Sequence, residues 1–184
     1  MKFRIIFLVL LALSLTSIEA QIVIGPGDMP AAGEMIPYTS TAAVPAGVDY
    51  TLTGENMVWD YSMLVPGLND IDTFFTVEQT PFLYQFFFNN FILYPDYNAD
   101  FALPGDNFDL GLVTVTDVFN YYKNDDEAFR NVGYGANING LPSSIRNNPI
   151  DVIYEFPLSY QSSSNSVSAS ELEIPGLGYY RRDQ

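Results

Sequence analysis

From Ile22 onward the apolar positions of this chain fall into short runs, broken about every ten residues by Gly, Pro, Asn or Asp. That spacing is the punctuation of an all-β protein. "VDYTLTG" (48–54) alternates Val48, Tyr50 and Leu52 with polar neighbours, as a strand with one wet face does. "MVWDYSML" (57–64) and "DIDTFFTVEQ" (70–79) read as further strands with "VPGLN" (65–69) as the turn between them, and "EMIPYTS" (34–40) reads as an edge strand interrupted by Pro37. The second half is clearer. "LVTVTDVFNYYK" (112–123) is rich in β-branched and aromatic residues, "NDDE" (124–127) turns the chain, and "AFRNVGYGANI" (128–138) returns it. Asn139-Gly140 then supplies the two positive-φ positions of a type I′ hairpin. "DVIYEFPLSY" (151–160) and "SVSASELEI" (166–174) add two more strands. Strands joined by short turns pair antiparallel, so the pattern predicts a meander forming a β-sandwich or an opened barrel. One segment departs from period two. "TPFLYQFFFNNFILYP" (80–95) places Thr80 as an N-cap and Pro81 at the first helical position, which predicts a short helix over 81–89, with a fully buried strand as the alternative.

The amino terminus adds a location. Lys2 and Arg4 precede an uninterrupted apolar run from Ile5 to Leu13, and a small residue follows at Ala20. This is the arrangement of a secretory signal peptide over residues 1–20, too short to span a membrane. The predicted mature chain, 21–184, has the length of a single β-rich domain. Removing Lys2, Arg4 and Glu19 from 7 basic and 22 acidic residues leaves 5 and 21, a net charge of −16. Such a surface repels phosphate backbones and anionic headgroups, which argues against nucleic acid as a partner and against membrane insertion once the signal is removed. With 13 Tyr and 14 Phe the chain is also too aromatic for an acidic disordered segment.

Absences narrow the chemistry further. There is no His and no Cys, which removes zinc sites, iron–sulfur clusters, disulfides, Ser-His-Asp triads and Cys-His dyads from this chain. "GYG" (133–135) and "GLG" (176–178) lack the third glycine of a dinucleotide loop. Paired carboxylates and oxygen-ligand metal sites remain. Asp96, Asn98 and Asp100 in "DYNAD" occupy the first, third and fifth positions of a calcium loop, with Asp106 and Asp109 as further oxygen donors. Phe101 stands where that loop has Gly and Asn107 where it has Glu, and a solvated turn explains the same residues. "NDDE" reads as a solvated turn. Glu171 and Glu173, like Asp70 and Asp72, are two apart and share a strand face, as a glycosidase pair would; acids on the wet face of a sheet are the simpler reading.

Tyr121, Tyr122, Tyr134, Tyr179 and Tyr180 suggest a stacking surface for carbohydrate, against which stands their ordinary use in sheet cores and cross-strand pairs. Trp59, the one tryptophan, is expected to anchor two packed layers.

Several segments, "GENMVWDYSML" (54–64), "TPFLYQFFF" (80–88), "YYKNDDEAFRNVGYGANINGLP" (121–142), "DVIYEFPLSY" (151–160) and "IPGLGYY" (174–180), resemble the amino-terminal region of secreted Bacteroidetes proteins that carry a carboxy-terminal sorting domain for the type IX secretion system. The resemblance covers most of the mature chain and rests on structural motifs. It implies export through the periplasm to the cell surface or medium, with the export machinery as a partner. That family has no established activity, so no functional residue is carried over. The chain departs from the pattern by stopping at "YYRRDQ" with no sorting domain behind it, which implies that Gln184 is a truncation point. The expected function is an exported, non-enzymatic structural or binding module, with carbohydrate or a surface protein as its partner and no cofactor. Two alternatives are a carboxylate-dependent enzyme acting on polysaccharide and a calcium-stabilised adhesion domain.

Overall fold

The computed structural model describes residues 22–41, 49, 51, 58, 60–109, 111–174 and 178–184. The signal segment, Trp59 and most of the strand expected over 48–54 lie outside these residues. In chain order the strands are β1 (Val23–Ile24), β2 (Met35–Thr41), β3 (Pro66–Thr73), β4 (Phe101–Pro104), β5 (Phe108–Asp109), β6 (Thr114–Asn124), β7 (Ala128–Ile138), β8 (Leu141–Glu155), β9 (Leu158–Ser159), β10 (Ala169–Ile174) and β11 (Gly178–Asp183). Among the described residues one α-helical turn, α1 (Gln85–Phe88), and two 3-10 turns, Pro26–Asp28 and Val77–Gln79, interrupt them. The fold is all-β and antiparallel. Its main sheet has seven strands in the order β11-β10-β8-β7-β6-β4, with β5 also on β6, and it does not close into a barrel. Two-stranded ladders, β2-β3 and β1-β9, flank it.

The meander β6-β7-β8 is built where the alternating pattern is strongest. Asn139 (φ 51°) and Gly140 (φ 85°) both take the left-handed region that a type I′ turn requires, and the Asn139 amide is tied back to Thr114 N–H and Leu112 C=O. At the other end of β7, Asp125 closes the turn after β6. Its carboxylate accepts the N–H groups of Glu127 and Ala128, both at 3.0 Å, and pairs with Arg130. Burial alone would raise the Asp125 pKa; the two N–H donors and the guanidinium outweigh it and hold the group below its ordinary 3.8. A carboxylate depressed on folding stabilises above its unfolded pKa, and that stability is lost as pH falls through the folded value. Chemical denaturation at stepped pH should therefore show the native chain losing more stability below about pH 4 than Asp125→Asn does; parallel curves for the two would refute the role.

Three expectations are corrected. The turn predicted at 65–69 is mostly strand: β3 starts at Pro66 and pairs with β2, from Thr41↔Pro66 to Met35↔Thr73. The described end of the strand expected over 57–64 is instead a turn, in which Asp60 Oδ1 accepts the Ser62 N–H at 2.9 Å and Leu64 N–H bonds Tyr61 C=O. The helix predicted over 81–89 shrinks to the single turn of α1, and Thr80 does not cap it. Thr80 is buried; its hydroxyl donates to Val77 C=O at 2.7 Å and accepts the Tyr121 hydroxyl at 2.7 Å, so a core contact takes the oxygen that a cap would have used.

The segment 77–99 covers one face of the sheet. Tyr84 and Phe88 lie against β7 where Gly133 and Gly135 leave room, and Phe88 stacks on Tyr121 with ring centroids 4.1 Å apart. Val77, Ala99, Ala102 and Val132 complete that cluster. Its rim is held by Arg146 of β8, whose guanidinium lies 4.4 Å from the Phe87 ring centroid and 5.0 Å from that of Tyr97.

Candidate functional site

The opposite face of the sheet carries the cleft. Strand alternation puts Val115, Val118 and Asn120 of β6 on that face with Tyr134, Ala136 and Ile138 of β7. Asp117, at φ 52°, sits within an irregularity between Thr116 and Phe119 that lets β6 change register while keeping its apolar residues on this side. Leu172, Tyr180 and Arg182 of the β10-β11 hairpin wall the same cleft, as do Phe108 and Val113. In sheet order β8 and β7 separate that hairpin from β6, so the sheet must curl for both to meet one cavity. Leu172 packs beside the buried cluster of Val115, Ala136, Ile138 and Ile145, which holds the curl. The cleft encloses about 350 Å³, at the lower end of the ~300–1,000 Å³ usual for small-molecule sites.

Cross-strand register orders its lining. Asn120 is the β partner of Tyr134, and Ser170 is the partner of Arg182. The Tyr134 hydroxyl hydrogen-bonds Ser170 beside Arg182, and burial, outweighing that bond, holds this phenol above its ordinary pKa. Further along the same strands Val115 pairs with Ile138, and Phe108 pairs with Val115. The cleft is thus polar at one end and apolar at the other.

The candidate acids lie elsewhere. Glu171 and Glu173 are exposed on the outer side of the hairpin, alternating with Leu172, and Glu171 is paired with Arg181 at 2.6 Å. Asp70 and Asp72 are on β3, where Tyr38 and Ile36 stand opposite them. Asp100 Oδ2 accepts the Asn124 N–H at 2.7 Å, while Asp96 is exposed in the turn that follows Tyr94 and Asn98 is half-buried beside Ala99. Asp109 Oδ1 is engaged by the Gly111 N–H at 2.7 Å, and Asp106 is exposed in the loop after β4. Among the described residues no three Asp, Glu, His or Cys side chains gather as a metal site.

The five tyrosines do not form one surface. Tyr121 is fully buried against Phe88, Tyr122 stacks between Phe101 and Phe129, Tyr134 and Tyr180 line the cleft, and Tyr179 is on the outer side of the hairpin. Sequence reasoning had no candidate in Arg182 or Asn120. Their only signal is that each is a polar residue two positions after a residue that lines the cleft, Tyr180 for Arg182 and Val118 for Asn120. A second apolar surface is formed by Phe82, Leu83, Phe86, Phe91, Ile92 and Leu93, all more than half exposed. Among the described residues no helix is long and apolar enough to cross a membrane. No protein family, curated protein or solved structure matches this chain.

Proposed function

We propose that this chain is an exported, non-enzymatic binding module of the cell surface or medium, and that it binds through the cleft between the curled sheet and the β10-β11 hairpin. The observation that carries this reading is the lining: apolar walls, a few polar side chains at one end and, among the described residues, no carboxylate. That is the make-up of a small-molecule site. Glycoside hydrolysis would need two acids roughly 5–10 Å apart across a substrate, and the acids of β10 face away from the cleft. Export is supported by the basic start, the apolar run to Leu13 and the small residue at Ala20.

The test uses the chain exported through its own leader, whose mass should correspond to a start at Gln21. Titrated with the uncharged dye N-phenyl-1-naphthylamine, it should give a saturable one-site rise in emission. Val113→Trp, which places an indole in the cleft, should remove that rise and leave the thermal transition in place. A dye response that persists in Val113→Trp, or no saturable response in the native chain, would overturn the reading.

A further inference from the structure

Arg182 is the unusual residue of the cleft. Its neighbour Arg181 is held on the outer side of the hairpin by Glu171 at 2.6 Å and Asp183 at 2.7 Å. Arg182 points the other way, into the cleft, and among the described residues it has no ion-pair partner. Lys123 and Arg146 also lack a carboxylate partner among the described residues, but Lys123 is bonded to the Pro95 carbonyl and Arg146 lies on aromatic rings, and Arg182 alone of the three lines the cleft. Beside Arg182 is the Tyr134 hydroxyl, which also hydrogen-bonds Ser170, and the Asn120 amide adjoins Tyr134 through the Asn120↔Tyr134 pair; both are groups of the kind that complete an anion site. Beyond them the floor is Ala136, Val115 and Ile138, with Leu172 overhead and no charged side chain.

Resting on the cleft as the binding site, we infer that its ligand is a single-chain anionic amphiphile, a free aliphatic carboxylate whose head meets Arg182 and whose tail runs along β6 and β7 toward Phe108. A guanidinium offers two parallel N–H donors that match the two carboxylate oxygens. One cation and a volume of about 350 Å³ suit one head and one chain, not the two chains of a membrane phospholipid. The sign of the selectivity separates this site from unspecific adsorption. A mature chain of net charge −16 with exposed apolar side chains attracts cationic amphiphiles in preference to anionic ones, and the cleft must reverse that order.

Displacement of N-phenyl-1-naphthylamine reads this directly. Decanoate, decanol and decyltrimethylammonium share a tail and differ in the head. Decanoate should displace the dye at a concentration at least tenfold below that of either of the others. Within the Arg182→Gln variant decanoate should lose its advantage over decanol, whatever the variant's own affinity for the dye, and Arg182→Lys should restore part of it. If the dye binds the cleft but the three heads rank equally, or the cation ranks first, the inference fails and the cleft remains a binding site. If the dye does not bind, the site itself is wrong. Binding to phosphatidylglycerol vesicles in preference to decanoate would replace the single chain by a membrane surface and overturn the inference as well.

Discussion

Gly133→Ala is expected to remove about 4 kcal/mol of stability, as the sum of roughly 1–3 kcal/mol for a strained backbone and 1–3 for overpacking. Gly133 holds φ at 150°, a region that side-chain-bearing residues avoid. A Cβ built there would lie 2.2 Å from the Ile145 carbonyl oxygen and 2.8 Å from Phe88 Cζ. The first of these is main chain of the neighbouring strand, so a side-chain rotation cannot relieve it. For a chain of this length each kcal/mol moves Tm by about 2–4 °C, which predicts a fall of roughly 8–16 °C. Total stabilities of ~5–15 kcal/mol make such a loss large enough to unfold a substantial fraction at growth temperature. Urea unfolding of the two proteins side by side measures it. A difference below about 1 kcal/mol would mean that the strand moves aside at little cost, and the close packing described for β7 would be mistaken.

Phe88→Ala is expected to cost about 3–5 kcal/mol, the range for deleting a fully buried aromatic ring. Phe88 has no exposed surface, stacks on Tyr121 and fills the space that Gly133 leaves open. Its removal opens a void bounded by β6 and β7, whose main chains are tied into the sheet and cannot collapse into it. The double variant discriminates between the two contacts of Gly133. With Phe88 gone, one of the clashes met by an alanine at 133 disappears, while the contact with the Ile145 oxygen and the positive φ remain. Gly133→Ala should therefore stay destabilising in the Phe88→Ala background, by somewhat less than in the native chain. Full additivity would place the whole cost of the alanine in the backbone. Complete suppression would place it in the ring.

Local chemistry was legible in the sequence and long-range geometry was not. Asn139-Gly140 announced its turn because both residues are chosen for a backbone conformation that few others tolerate, and β7 keeps the bounds that this turn and the one at 124–127 set for it. Thr80 and Pro81 looked like a helix start because capping is a local pattern. The Thr80 hydroxyl was claimed instead by Tyr121, 41 residues away, which no local pattern can register. The "GYG" stretch lacks the third glycine of a nucleotide loop, and its two glycines seat Phe88 and Tyr84 instead. The site was the least visible part. Arg182 lies in the terminal "YYRRDQ" and Asn120 in the middle of β6, and only the curl of the sheet brings them to one cleft. The candidate acids failed to gather there for the converse reason: acids of a β chain are selected onto wet faces, and the wet side of the β10-β11 hairpin is the one turned from the cleft.

The way that hairpin is tied has a kinetic meaning. Its two strands pair with each other over six positions, but β10 meets β8 in register only at Ser170↔Asn147. The wall that carries Leu172, Tyr180 and Arg182 can therefore open at the expense of few hydrogen bonds, while β6, β7 and β8 stay closed. Local opening of this sort has a free energy well below that of global unfolding. For the ligand proposed for the cleft, exchange would then be governed by the hairpin, on the microsecond-to-second scale of local opening, and not by unfolding of the whole sheet.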